Sequence, residues 1–282
     1  MRLAIVLVLL MPSLAGADRG GWRFVEEQLK DVRPGDVVVT DVDYSVVDPR
    51  PRTQGAVRAF GMGRWALRLM GWDGTETAAR LGHGRATQRR FQGFWNDFFW
   101  SPDHLELDRA LATAEVLARA KAAGAEILYL TGRNDELNLK TQERLAALGF
   151  PDAHNVRTKR EGEDTILFKE GWLRRLQAEG KRVLFYMSES PDEIEAARRA
   201  NVPVLFVRGI PRYSAEARFK TPTPEIRGVR RISRLRWPPR AASGGSGRDS
   251  ALGRSRSPSW RAGSSGGRGR APRSDRARVV GH

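Results

Sequence analysis

Four continuous apolar runs constrain this chain more than any other feature: VVVT at 37–40, EILYL at 126–130, RVLFYM at 182–187 and VPVLFV at 202–207. None alternates apolar with polar residues, so each must be covered on both faces. Around them lie segments with helical spacing: Trp22–Leu29, residues 107–124 ending at Gly124, Asp135–Leu148, Thr165–Glu179 and Asp192–Ala200. A short extended piece, NVRTK at 155–159, falls between two of these helices. Strands alternating with helices predict βαβ units, and hence an α/β fold in which helices cover both faces of a parallel sheet. In such sheets ligands bind beyond the carboxyl ends of the strands.

The residues at those ends share one chemistry. Asp41, Asp43 and Ser45 follow the first run, and Thr131, Gly132 and Arg133 follow the second. Ser188, Glu189, Asp192 and Glu193 follow the third, and Lys169 lies in the helix before it. Crowded carboxylates repel one another unless a cation neutralises them. A hard divalent ion suits an oxygen donor set, and Mg²⁺ typically takes one or two carboxylates together with phosphate oxygens and water. In an extended segment residues two apart share a side, so Asp41 and Asp43 can face one substrate. One carboxylate can then attack while the other handles protons.

Residues 36–207 resemble the haloacid dehalogenase (HAD) superfamily, and in particular its exported, acid-phosphatase-like branch. The family's first motif, an apolar strand followed by D-x-D-x-T/V, appears as TDVDYS, with Ser45 in the threonine position. ILYLTGR supplies the second motif with Thr131. Lys169 in DTILFKEGWL supplies the third, with Lys159 in NVRTK as the alternative. The fourth departs from the usual pattern: YMSESPDE offers Glu189, then Asp192 or Glu193, with Ser188 where glycine is common. The longer side chain of glutamate displaces its carboxylate by about one bond length, and misplacement of that order can cost roughly 100-fold in rate.

The resemblance implies a HAD-like Rossmannoid α/β/α sandwich and a Mg²⁺-dependent phosphatase acting on a small phosphorylated substrate. Asp41 would form an aspartyl-phosphate, and Asp43 would be the acid/base. Asp41, the backbone carbonyl of Asp43 and Glu189 would hold Mg²⁺, with Asp192 and Glu193 as further acidic candidates. Thr131 and Lys169 would hold phosphate oxygens, with Ser45 and Gly132 beside them. The altered fourth motif leaves open a binding protein without turnover.

Residues 49–104 interrupt the alternation and fall where the family places a small cap. Helices are expected near 54–70 and 85–98, and the run FQGFWNDFFW at 91–100 serves either as a wall for a leaving group or as the insert's own core. Arg85, Arg89 and Arg90 are candidate anion contacts. Asp48 reads as a turn residue before Pro49. His83, His104, His154 and His282 show no metal-ligand spacing.

Both ends differ from the middle. Arg2, the apolar stretch Leu3–Met11 and Ala15-Gly16-Ala17 form a signal-peptide pattern over 1–17, which predicts cleavage after Ala17 and a periplasmic or secreted protein. That stretch is shorter than the ~20 residues a spanning helix needs. The chain has no cysteine, which excludes disulfides. A hydrolase domain is expected over 18–220, and residues 221–282 read as a disordered tail rich in Arg, Gly, Ser and Pro. From Arg240 onward ten arginines face Asp249 and Asp275, which accounts for half of the formal net charge of +16. The rest of the chain is only mildly basic, so no specific nucleic-acid binding is expected of the domain. The tail is either a non-specific polyanion tether or without specific function.

Overall fold

Val37–Thr40 forms β1, and all four of its residues are buried. Burying each of its valines contributes roughly 1.5–3 kcal/mol. The computed structural model describes residues 19–62, 77, 79, 84–208 and 223–227. The signal-peptide pattern, and the tail beyond 227, lie outside these residues.

In chain order the elements are α1 (Arg19–Gln28), β1, β2 (Val47–Asp48), α2 (Arg50–Ala59), α3 (Arg85–Phe99), β3 (Arg109–Ala110) and α4 (Ala114–Ala122). There follow β4 (Glu126–Asn134), α5 (Asn138–Ala147), β5 (Val156–Lys159), α6 (Thr165–Ala178), β6 (Val183–Ser188), α7 (Pro191–Arg199), β7 (Val204–Arg208) and β8 (Glu225–Arg227). Six strands form one sheet in the order β5-β4-β1-β6-β7-β8, with parallel pairing throughout. The chain winds outward from β1 in both directions, so the topological switch point lies between β1 and β6. A doubly wound sheet presents its crevice there.

Side chains alternate across the sheet and build two cores. Val38, Ile127, Tyr129, Phe185 and Met187 meet Val25 of α1, Leu117 of α4 and Leu145 of α5. Val37, Val39, Leu128, Leu130 and Tyr186 meet Phe168 and Leu173 of α6 and Ile194 of α7. These are the expected three layers. Among the described residues no helix is long and apolar enough to cross a membrane.

Three expectations outside the insert need correction. The helix expected from residue 107 begins at Ala114, because Arg109 and Ala110 pair antiparallel with Asp48 and Val47. This small ribbon brackets the insert. EILYL continues as strand to Asn134, which carries Thr131 and Arg133 on the same strand as the core valine partners. The tail boundary at 221 also falls too early, since Glu225–Arg227 adds a sixth strand beside β7 and buries Ile226. One apolar residue between charged neighbours carries no alternation from which that strand can be read.

β8 is covered by α1 at very close range. A Cβ placed on Gly21 would run into the backbone carbonyl of Glu225. Gly21→Ala is therefore expected to push helix and strand apart and to destabilise the domain by about 1–3 kcal/mol, read as a lower melting temperature. An unchanged melting temperature would mean that α1 does not seat on β8.

Within the insert, Ala56, Val57, Phe91, Trp95 and Phe99 form a separate small core, with Phe94 and Phe98 against it. Trp95 Nε1 donates to Thr53 Oγ1 at 3.1 Å, and its ring stacks on Phe99. The aromatic run therefore mostly packs the insert itself. The helix begins at Arg50 rather than 54, because proline is tolerated in a helix's first turn and Pro51 sits there. Asp48 is buried in β2 and takes the Arg50 guanidinium on both oxygens, at 2.6 Å each. Arg85, Arg89 and Arg90 are in α3, whose buried residues are Phe91, Trp95 and Phe99; the three arginines make no ion pair among the described residues.

Candidate active site

The end of β1 is held in place before any chemistry begins. The Asp41 N–H donates to Met187 O of β6 at 2.9 Å, which extends the strand pairing by one residue. The chain then reverses. The amides of Val46 and Val47 both donate to Val42 O, and Tyr44 sits at φ 60°, a conformation that large side chains rarely adopt. The turn brings Ser45 back beneath Asp41. Ser45 Oγ lies 3.4 Å from Asp41 Oδ2, donates to Glu189 Oε2 at 2.6 Å and accepts the Glu189 N–H at 3.2 Å. One hydroxyl thus joins carboxylates from β1 and β6 across the switch point.

Lys169 reaches the same cluster from α6, whose first turn is capped by Asp164 through the Leu167 amide. Its ammonium is buried and donates to Asp41 Oδ1 at 2.5 Å and to Glu193 Oε1 at 2.6 Å. Burial alone would lower its pKa, but Asp41 and Glu193 overcome that and hold it above the ordinary lysine range. Glu193 Oε2 accepts from Tyr186 Oη and from Ser188 Oγ, both at 2.7 Å. Its oxygens are therefore fully engaged in orienting Lys169. Lys159, the alternative lysine, donates instead to Asn134 Oδ1 at 3.1 Å on the outer side of β4.

Asp43 belongs to a second group of charges. Arg133 grips it with two N–H groups, at 2.9 Å and 2.8 Å, and Arg52 of α2 binds the same carboxylate. Both arginines also meet Asp108, which is wholly buried. The Arg133 contact is a hydrogen bond of 2.9 Å. Arg52 Nε and Asp108 Oδ1 are 2.7 Å apart without hydrogen-bond geometry. Arg52 further donates to Phe99 O at 3.0 Å and lies over the Phe99 ring, which ties the insert to the site. Burial alone would raise the Asp43 pKa, but Arg133 and Arg52 outweigh it and hold the carboxyl well below the usual range.

Electrostatics separates the two groups. Five carboxylates (Asp41, Asp43, Asp108, Glu189 and Glu193) meet Lys169, Arg52 and Arg133, with Arg144 acting on Asp108 from its other side, so carboxylates outnumber cations in the cluster. The strain is felt on both sides, since burial raises the Asp108 pKa against the pull of Arg52 and Arg133. Burial, with the charges of Glu193 and Asp43, pushes Asp41 up to about 7 against the pull of Lys169. Burial, Asp41 and Glu193 together push Glu189 well above the carboxylate range. An unpaired buried charge of this kind is costly, and a divalent cation matches its size and sign.

Asp41 and Glu189, with the Asp43 carbonyl nearby in sequence, could supply all-oxygen ligands to such an ion. Among the described residues no group of three His, Cys, Asp or Glu side chains could hold a metal unaided. Mg²⁺ does not require one, because it usually keeps several waters. The donor chemistry fits the ion.

Thr131 is buried in β4, three residues before its last, and its Oγ1 accepts the Arg133 N–H at 3.3 Å. Gly132 faces the opposite way, toward Thr165 at the start of α6, where a Cβ would come within 2.8 Å of the Thr165 methyl. Asp192 is exposed on the first turn of α7 and makes no hydrogen bond or ion pair among the described residues. The expected residues Asp41, Asp43, Ser45, Thr131, Lys169, Glu189 and Glu193 thus converge, and Asp192 does not. Arg52, Asp108 and Tyr186 were not anticipated. Arg133 carried a signal, since it stands two residues from Thr131 and shares its side of the strand.

No family model matches the sequence, and no curated protein matches it. Among solved structures, similarity is found to a haloacid dehalogenase-like family hydrolase from Streptococcus pneumoniae, at 10% identity and TM-score 0.47, over 68% of this chain and 93% of that one. A HAD-superfamily hydrolase of subfamily IA from Geobacter sulfurreducens gives 13% identity and TM-score 0.47, over 68% and 90%. The class C acid phosphatase from Bacillus anthracis gives 14% identity and TM-score 0.40, over 64% and 70%.

Proposed function

We propose that this protein is a phosphatase that hydrolyses a phosphomonoester through a covalent phosphate on Asp41, with Mg²⁺ held by Asp41, the Asp43 carbonyl and Glu189. One observation supports this above the others. Asp41 lies at the switch point with Lys169 on one oxygen and the Ser45–Glu189 pair beside the other, in a cluster where carboxylates outnumber cations.

A carboxylate oxygen of Asp41 attacks phosphorus, the ester P–O bond breaks, and the leaving oxygen takes a proton from Asp43, which first has to gain that proton from solvent against the pull of Arg133 and Arg52. Asp43 then takes a proton from water, whose oxygen attacks the phosphoaspartate. The bond to Asp41 breaks and inorganic phosphate leaves. Lys169 donates to Asp41 and Glu193 and has a third N–H for a phosphate oxygen. The Thr131 hydroxyl proton is a second donor for the same group. Arg133 and Arg52 keep Asp43 aimed and ionised, which suits the water-activating step. When bound, Mg²⁺ offsets the repulsion between the attacking carboxylate and the phosphate.

The purified protein is expected to release p-nitrophenol from p-nitrophenyl phosphate with Mg²⁺ and to stop when the metal is chelated. At a Mg²⁺ concentration of 100 times Kd, the melting temperature should rise by about 5–10 °C. Turnover that is indifferent to chelation would overturn the metal assignment. Stabilisation by Mg²⁺ without turnover of any phosphomonoester would replace the enzyme with a binding protein.

The proposal extends to the chain's ends. Export implies that the mature protein begins at Asp18, and N-terminal sequencing of protein isolated from its own cells checks this. If the tail tethers polyanions, truncation after Arg236 removes polyanion binding and leaves phosphatase activity intact.

A further inference from the structure

A cavity of about 230 Å³ lies beside the site, lined by Trp100, Gly132, Asn134, Leu137 and Lys159. Two of its walls belong to residues that touch Asp43 through one neighbour. Gly132 stands between Thr131 and Arg133, and Arg133 holds Asp43. Trp100 has its ring 5.9 Å from the Arg52 guanidinium, and Arg52 holds Asp43 from the other side. Both links run to the arginines that clamp Asp43, so the cavity borders that clamp.

The lining then describes the leaving group. Trp100 is 38% exposed, while Phe91, Trp95 and Phe99 of the same helical run are buried in the insert's core. Its indole is therefore available for stacking on a flat ring. Lys159 is half-buried, donates only to Asn134 Oδ1 and Arg160 O, and pairs with no carboxylate among the described residues. It leaves one positive charge in the wall without a counterion. A cavity of about 150 Å³ accommodates benzene, so 230 Å³ has room for one ring with a substituent.

We infer that this cavity is the leaving-group subsite, and that the substrate is a phosphomonoester of a single aromatic ring carrying a second anionic group. Trp100 stacks on the ring and Lys159 meets the anion. This deepens the phosphatase reading and rests on it.

The test is steady-state hydrolysis of phenyl phosphate, 4-carboxyphenyl phosphate and glycerol 3-phosphate by the full-length protein with Mg²⁺. The carboxylated ester is expected to show a KM about tenfold below that of phenyl phosphate. Lys159→Met should abolish that gap without changing kcat for phenyl phosphate, and Lys159→Arg should keep it. Trp100→Ala should raise KM for both aryl esters about 5-fold and leave glycerol 3-phosphate unaffected, while Trp100→Phe should restore the aryl values. Turnover of all three esters with KM values blind to both positions would overturn the subsite and leave the phosphatase reading standing. Turnover of none by the unaltered protein would overturn both.

Discussion

Asp41→Asn is expected to lower Mg²⁺-dependent phosphate release by at least about 10³-fold, the scale on which loss of a covalent nucleophile is felt. The variant should fold. Asparagine matches aspartate in shape, keeps an oxygen for Lys169 and removes a carboxylate that raises the pKa of Glu189. The metal-free variant should therefore melt no lower than the unaltered metal-free protein. Its melting temperature should also respond less to Mg²⁺, because one ligand is gone. Asp192→Asn is the matched control: that side chain is exposed and outside the cluster, so activity should stay within about twofold. Full activity in Asp41→Asn would overturn the nucleophile.

Lys169→Met should have the largest effect on stability. Lys169 is 1% exposed, and its ammonium lies between two carboxylates, at 2.5 Å and 2.6 Å. Removing one partner from a buried ion pair costs about 3–5 kcal/mol, because the charge left behind has neither water nor a counterion. For a domain of this size that corresponds to a melting temperature lower by roughly 6–20 °C. The double variant Lys169→Met/Glu193→Gln should recover much of the loss, since Glu193 is then neutral and can still meet Tyr186 and Ser188. It should recover no activity, because nothing replaces the ammonium beside Asp41. Equal melting temperatures for the single and double variants would show that the Lys169–Glu193 pair does not carry the stability assigned to it.

Much of this site was legible because the strand-end rule applies to residues in the sheet itself. Asp41, Thr131 and Glu189 follow apolar runs whose direction and order place them at one edge, and only the positions of the runs were needed. Lys169 was legible as a candidate but not as the choice over Lys159. Which lysine faces the sheet depends on the phase of α6, and that is set by the Asp164 cap. The same problem separates Glu193 from Asp192. They are adjacent in sequence, and the first turn of α7 sends one inward to Lys169 and the other into solvent.

The Asp43 clamp was not legible. Arg52 sits in an insert whose seat on the domain is set by tertiary contacts, and the local sequence RPRTQ resembles any polar helix start. Asp108 fell within an apparently helical stretch, and its burial follows from pairing of the ribbon that crosses behind the insert. Long-range ion pairs of this kind leave no periodic trace. β8 escaped for a different reason: three residues on the outer side of β7 need only Ile226 to be buried.

The most direct measurement is a crystal structure of the protein grown with Mg²⁺ and beryllium fluoride, a mimic of the aspartyl-phosphate. The expected result is BeF₃⁻ joined to an Asp41 carboxylate oxygen, Lys169 and Thr131 on its fluorines, and Mg²⁺ coordinated by Asp41 and Glu189. BeF₃⁻ on another residue, or a metal bound by Asp192 in place of Glu189, would contradict it.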